Sequence, residues 1–193
     1  MVVMRDQVVS ALAELDVKGN EDGLIPTFGV LVNQLPTSFW NTFAERMTAA
    51  VDDNRKTEMA NALVNCAYEC GYHTGHGIIT SEEFKSVVMP MVTEAEKDVL
   101  RGAYAVFTAW GWAKSGIVQL KPAERMVVRA QDYYEMDGGG TGLRAFMIRG
   151  VSAAFFELAY AKPYPDGMNT YNCEQTAGIE EGDPFGEFVV KPK

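Results

Sequence analysis

An α+β fold, with helices packed on one face of a small antiparallel sheet, is what this 193-residue sequence predicts. Three observations carry that expectation. Apolar residues recur every three to four positions through most of residues 5–112, the period of amphipathic helices. Past Gly116 the period falls to two, as in strands with one buried face. The two patterns are also segregated along the chain, which favours an antiparallel sheet covered on one side over alternating βαβ units.

At this length a chain buries about 70% of its unfolded surface. One domain over 1–193 is therefore expected, with a helical part (1–114) and a sheet-plus-helix part (115–193), and it needs no disulfide staples. The three cysteines do not form an oxidised framework: Cys66 and Cys70 are four residues apart and Cys173 lies far downstream. A reduced, cytoplasmic setting is expected. The N-terminus, Met1-Val-Val-Met-Arg-Asp-Gln7, lacks a basic start and long apolar run, and no stretch reaches the roughly 18 apolar residues of a membrane span. A net charge of −9, with Lys and Arg scattered, argues against nucleic acid as a partner. Ten Met, ten Phe, eight Tyr and three Trp suit an adaptable apolar cavity or a dimer face, and suit a filled core equally.

In chain order, Val8, Val9, Leu12 and Leu15 mark a helix over Arg5–Asp16, which the turn residues Lys18–Gly23 end. Leu24–Leu35 reads as a second short helix despite Pro26 and Gly29, and Pro36 starts a third carrying Phe39, Trp40, Phe43, Met47 and Val51. Asp52–Asn54 precedes a helix that begins near Thr57 and ends among Gly71, Gly75 and Gly77, since each interior glycine costs roughly 1 kcal/mol. Gly71 and Gly75 share the face opposite the cysteines, so close approach of another backbone or a flat ligand is the alternative reason for them. Capping boxes at Thr80-Ser-Glu-Glu83 and Thr93-Glu-Ala-Glu96 open a short helix to Met89 and a long one through Trp112. Strands follow at Gly116–Lys121 and Arg125–Glu135 around a Pro122-Ala-Glu124 turn. The last helix carries Leu143, Phe146, Met147, Gly150, Val151, Ala154, Phe155 and Leu158. Met168–Gln175 and Phe185–Val190 then form a closing hairpin.

Chemistry concentrates in Asn65–Gly77, which holds two of the three cysteines and both histidines. At about 100° per residue Cys66, Cys70 and His73 share one stripe, with His76 roughly 80° away from Cys66. Thiolate and imidazole bind zinc or iron and also serve as nucleophile and base. Cys70 and His73 are therefore candidate catalytic residues, and Cys66, Cys70, His73 and Cys173 candidate ligands of a single Zn or Fe ion. Met59, Ala62 and Leu63 extend the same stripe, so core packing is the weightier reading. Tyr68 and Tyr72, with Trp110, Trp112 and Tyr134 near chain reversals, line a candidate pocket for a planar apolar molecule together with Cys66 and His76; ordinary core and rim is again the alternative. The glycine run in Asp137–Gly142, with Ala145, satisfies G-x-G-x-x-A, but the helical first half of the chain argues against a dinucleotide fold. Glu180, Glu181, Asp183 and Glu187 could recruit a hard cation, but so acidic a turn reads first as a solvated tip.

Across residues 25–190 the order of elements resembles the 4-vinyl reductase domain family, whose relatives include sensors of aromatic molecules and TRAPP subunits that hold an acyl chain. The matching segments are Leu100-Arg-Gly-Ala-Tyr104, Ala109-Trp-Gly-Trp-Ala-Lys-Ser-Gly-Ile-Val-Gln-Leu120, Ala67-Tyr-Glu-Cys-Gly-Tyr-His-Thr-Gly75, Tyr171-Asn-Cys-Glu174 and Glu181-Gly-Asp-Pro-Phe-Gly-Glu-Phe-Val-Val190. The resemblance implies an apolar cavity between helices and sheet. Some members bind zinc in the closing hairpin. Cys173 matches their first cysteine, but Thr170 and Gly186 stand where a Glu and a second Cys would be, too few ligands for zinc. The layout is also similar to a hydrolase family acting on L-2-amino-thiazoline-4-carboxylic acid. Three readings follow: a binding protein for a small hydrophobic or aromatic molecule, a Cys/His or metal-dependent enzyme such as a hydrolase or reductase component, and a homodimeric interaction module.

Overall fold

The computed structural model describes residues 4–14, 18–33, 35–138 and 144–193. The expectations for Leu15, Asp16, Leu143 and most of the glycine run fall outside these residues.

Helix α1 (Arg5–Ala13) buries Val8 and Leu12. Leu24–Leu35 is not a helix: Ile25–Thr27 (β1) and Val30–Val32 (β2) pair as an antiparallel hairpin. Its turn residues Phe28 and Gly29 both take positive φ (49° and 70°), the twist that suits a two-residue hairpin loop. Phe28, an unusual residue in that conformation, is held there by burial. Its ring meets Trp110 edge-on at 4.7 Å. Helix α2 (Thr37–Ala49) follows Pro36 as expected but buries only Ala44.

Helix α3 (Lys56–Thr80) runs straight through the glycines expected to end it. Its inward face, Leu63, Ala67, Gly71, Gly75 and Ile78, lies largely along α6 (Met147–Tyr160). The glycines are packing seats. A Cβ on Gly150 of α6 would stand 2.5 Å from the Tyr68 nitrogen and the Val64 oxygen, and one on Gly75 would stand 2.8 Å from Phe155 and Leu158. Close helix approach here outweighs the local cost of glycine.

Because α3 continues to Thr80, whose hydroxyl donates back to the His76 carbonyl at 2.7 Å, the cap of α4 (Glu82–Val87) is Ser81, one residue beyond the expected Thr80. Its Oγ accepts from the Phe84 N–H at 3.1 Å. Helix α5 (Ala95–Ala109) stops before Trp110 and is opened by Asp98, whose carboxylate accepts from the Thr93 and Glu94 N–H groups, both at 2.9 Å.

Strands β3 (Ala113–Lys121), β4 (Arg125–Tyr133), β5 (Tyr171–Ala177) and β6 (Gly186–Pro192) form one antiparallel sheet in the order β3-β4-β6-β5. The closing hairpin joins the first through β4 and β6, with Val128 opposite Phe188. The main core fills the space between this sheet (Met126, Val128, Phe188) and helices α5 and α6 (Tyr104, Phe107, Phe155). A smaller cluster gathers Val8, Leu12, Phe28, Phe84, Val88 and Val106. Among the described residues no helix is long and apolar enough to cross a membrane.

Candidate functional site

The thiol and imidazole stripe faces away from the core. Cys66 and Cys70 are exposed, and Cys70 Sγ lies 3.8 Å from Thr74 Oγ1. Cys173 is buried on β5, where burial pushes its thiol up to about 12 and keeps it protonated. Among the described residues no three His, Cys, Asp or Glu side chains gather to hold a metal. The arrangement expected for a Zn or Fe ion on Cys66, Cys70, His73 and Cys173 therefore does not form here. The reason lies in α3 itself: small residues on its other side let α6 come close, and that side is the one buried.

His73 and His76 meet Tyr164. His73 Nδ1 is 2.9 Å from the Tyr164 hydroxyl and His76 stacks on its ring at 3.8 Å. Tyr68 and Tyr72 also hold the chain that follows α6: the Tyr68 hydroxyl accepts from the Asn169 N–H at 2.6 Å and the Tyr72 hydroxyl from the Gly167 N–H at 3.2 Å. Glu157, fully buried on α6, completes this clasp by accepting from the N–H groups of Asn169, Thr170 and Tyr171. Three residues expected to line a pocket, Tyr68, Tyr72 and His76, and the candidate catalytic His73 thus fasten Tyr164, Gly167 and Asn169 to α3.

The aromatic candidates divide. Trp110 belongs to the smaller cluster with Phe28. Trp112 stacks on Phe107 at 5.7 Å and meets Tyr134 edge-on at 5.8 Å. Among the described residues the buried Tyr134 hydroxyl has no hydrogen-bond partner, and burial drives its titration far above the ordinary phenol range. Next to it in sequence, Glu135 accepts from the N–H groups of Phe146, Met147 and Ile148 and so holds the start of α6. Burial pushes its carboxyl up to about 7, against the pull of those donors.

Where α3, α5 and α6 meet, they leave a cleft of 210 Å³. Gly75 and Ile79 contribute from α3, Val99 and Ala103 from α5, Phe155 and Leu158 from α6. The walls are apolar apart from Glu96, and no thiol or imidazole reaches them. Such a surface can hold a small apolar molecule and offers no nucleophile or base beyond that carboxylate. Of its lining, the sequence marks Gly75 as a place of close approach, and Leu100, Ala103, Phe155 and Leu158 as parts of apolar helix faces, without bringing them together. The missed signal is that Ala95 and Val99 continue the row of Ala103 at four-residue spacing on α5.

No family model matches the sequence, and no curated protein matches it. Solved structures do. The phenol-responsive sensory domain of the transcription activator PoxR, determined with phenol, superposes with a TM-score of 0.74 over 100% of this chain and 92% of its own, at 12% identity. A trafficking protein particle complex subunit 3 from Naegleria fowleri, covalently bound to palmitic acid, gives 0.56 over 81% of this chain and 92% of its own, at 15% identity. This chain shares their fold. That relationship fits the α+β architecture and the family resemblance read from the sequence; at these identities it speaks to fold alone.

Proposed function

We propose that this chain is a binding module for a small hydrophobic or aromatic molecule, seated in the cleft between α3, α5 and α6. The observation that carries the reading is the cleft itself: 210 Å³ of apolar space between three helices, of a size for a single ring. That the two structural neighbours are described with phenol and with palmitic acid supports the ligand class. Burial of roughly 150 Å² of ring surface at about 25 cal/mol per Å² contributes about 4 kcal/mol. On apolar contact alone the complex would be about millimolar. The site proposed is the cleft, in place of the Cys70 and His73 stripe. The exposed free thiols of Cys66 and Cys70 support a reducing, cytoplasmic compartment.

The test is titration with toluene followed by intrinsic tryptophan fluorescence, on the wild type and on Ala159→Trp, which places an indole in the cleft from its half-buried rim. Saturable binding that weakens at least tenfold in the variant is expected. Equal affinity in both proteins would remove the cleft from consideration.

One observation favours a homodimer as well. On α2, Phe39, Phe43 and Met47 repeat at four-residue spacing and are 44%, 41% and 36% exposed, an apolar stripe of the kind subunits cover. A sedimentation profile that stays monomeric across a hundredfold range of concentration would dispose of it.

A further inference from the structure

The cleft between α3, α5 and α6 is apolar at one end and charged at the other. Its lining residues Gly75, Leu100, Ala103 and Phe155 are buried, whereas Ala95 and Glu96, at the first turn of α5, are exposed, so the cleft opens to water there. Glu96 sets a carboxylate on that rim. The cations of the same turn are already taken by its neighbours: Lys97 donates to Glu94, and Arg101 pairs with Asp98 at 3.0 Å. Among the described residues Glu96 has neither an ion pair nor a hydrogen bond.

The charge bears on the far wall as well as on water. Burial raises the titration of the Tyr160 hydroxyl on α6, and among the charged groups Glu96 adds most to that rise, ahead of Arg101, which opposes it, and Glu94, which supports it. Tyr160 directly follows Leu158 and Ala159, which line the cleft. A helix start ordinarily draws anions. Here the Thr93 and Glu94 N–H groups already donate to Asp98, and Glu96 adds a negative charge that no neighbour offsets. A cation is what this rim lacks.

We infer that the cleft takes a hydrophobic amine, with one apolar ring against Ala103 and Phe155 and a protonated amino group on a short arm at the Glu96 carboxylate. This inference rests on the cleft being the binding site. It adds a selection by charge, which apolar walls do not supply. Because Glu96 keeps its contact with water, the ion pair strengthens binding only about fivefold over the ring alone.

The experiment compares benzylamine with benzyl alcohol, a neutral ligand of nearly the same shape, and with the anion benzoate. Each is titrated at neutral pH and low ionic strength into wild type and Glu96→Gln, and the Gly75 and Val99 amide resonances are followed. The substitution keeps the size of an exposed side chain, so the variant should fold. Wild type should bind benzylamine about fivefold more tightly than benzyl alcohol, and benzoate least. Glu96→Gln should bring benzylamine down to the level of benzyl alcohol and leave benzyl alcohol unchanged. About 1 M salt, which screens charges beyond about 3 Å, should do the same to the wild type. Equal affinity of the wild type for the amine and the alcohol overturns the inference while the cleft stands. So does a preference for the amine that survives Glu96→Gln, since the net charge of −9 would then be its source. If none of the three ligands moves these resonances, the cleft reading itself fails and this inference falls with it.

Discussion

The two sides of α3 make opposite impressions. One carries Cys66, Cys70 and His73, groups able to bind metal or attack a carbonyl; it is exposed, and its histidine meets Tyr164. The other carries Ala67, Gly71 and Gly75, with no functional groups at all, and it positions α6, lines the cleft and meets the core. In this helix the capacity to build a site follows from what the side chains leave open. Reactive atoms lying on one stripe say nothing about which way that stripe turns.

Substitutions on the two sides should separate sharply. The largest effect belongs to Gly150→Val, which forces atoms into backbone at 2.5 Å and should cost more than about 3 kcal/mol in urea unfolding or abolish folding; an unchanged midpoint would mean that α3 and α6 are not in close contact. Next is Glu157→Gln, which leaves one acceptor oxygen for three N–H donors and should cost about 2 kcal/mol. Chemical denaturation that shows no loss would argue that the clasp on residues 167–171 is incidental.

Buried carboxylates extend the contrast to pH. Burial raises the titration of Asp98, but the Glu94 and Thr93 N–H groups and Arg101 outweigh it and hold the carboxyl at about 2, below its ordinary 3.8. Its contribution to stability is thus present above about pH 4 and lost as pH falls through 2. Glu135 runs the other way: raised from 4.5 to about 7, it favours the fold most below pH 4.5 and loses that share as pH rises through 7. Melting temperature against pH should therefore lose part of its acid-side slope in Asp98→Asn and part of its neutral slope in Glu135→Gln. Superimposable slopes for wild type and variants would refute this. The smallest effect lies on the outer side of α3: Cys66→Ser and Cys70→Ser should change stability by less than about 0.5 kcal/mol. In the native protein a thiol reagent should label these two quickly and spare Cys173; fast labelling of all three would contradict the buried β5 position.

The fold class was legible because α5, β3, β4 and the closing hairpin each combine clean periodicity with turn or cap residues, which are local signals. The β1–β2 hairpin was hidden because its run is too short to separate a period of 3.6 from one of 2, and because Phe28 occupies a turn position where Asn or Gly would have announced it. The true end of α3 was hidden for a different reason: Gly71 and Gly75 look like stops until a partner helix is known to rest on them. The site suffered most. Periodicity groups Cys66, Cys70 and His73 on one stripe, yet which side of a helix is buried depends on elements about eighty residues away in sequence, as Gly71 against Val151 shows.

The proposed ligand enters between α3, α5 and α6. The most direct test is backbone amide NMR during titration with phenol. Shifts centred on Gly75, Ile79, Val99 and Ala103 are expected. Shifts centred on Cys66 and Cys70, or on Trp112 and Tyr134 with the cleft silent, would contradict it.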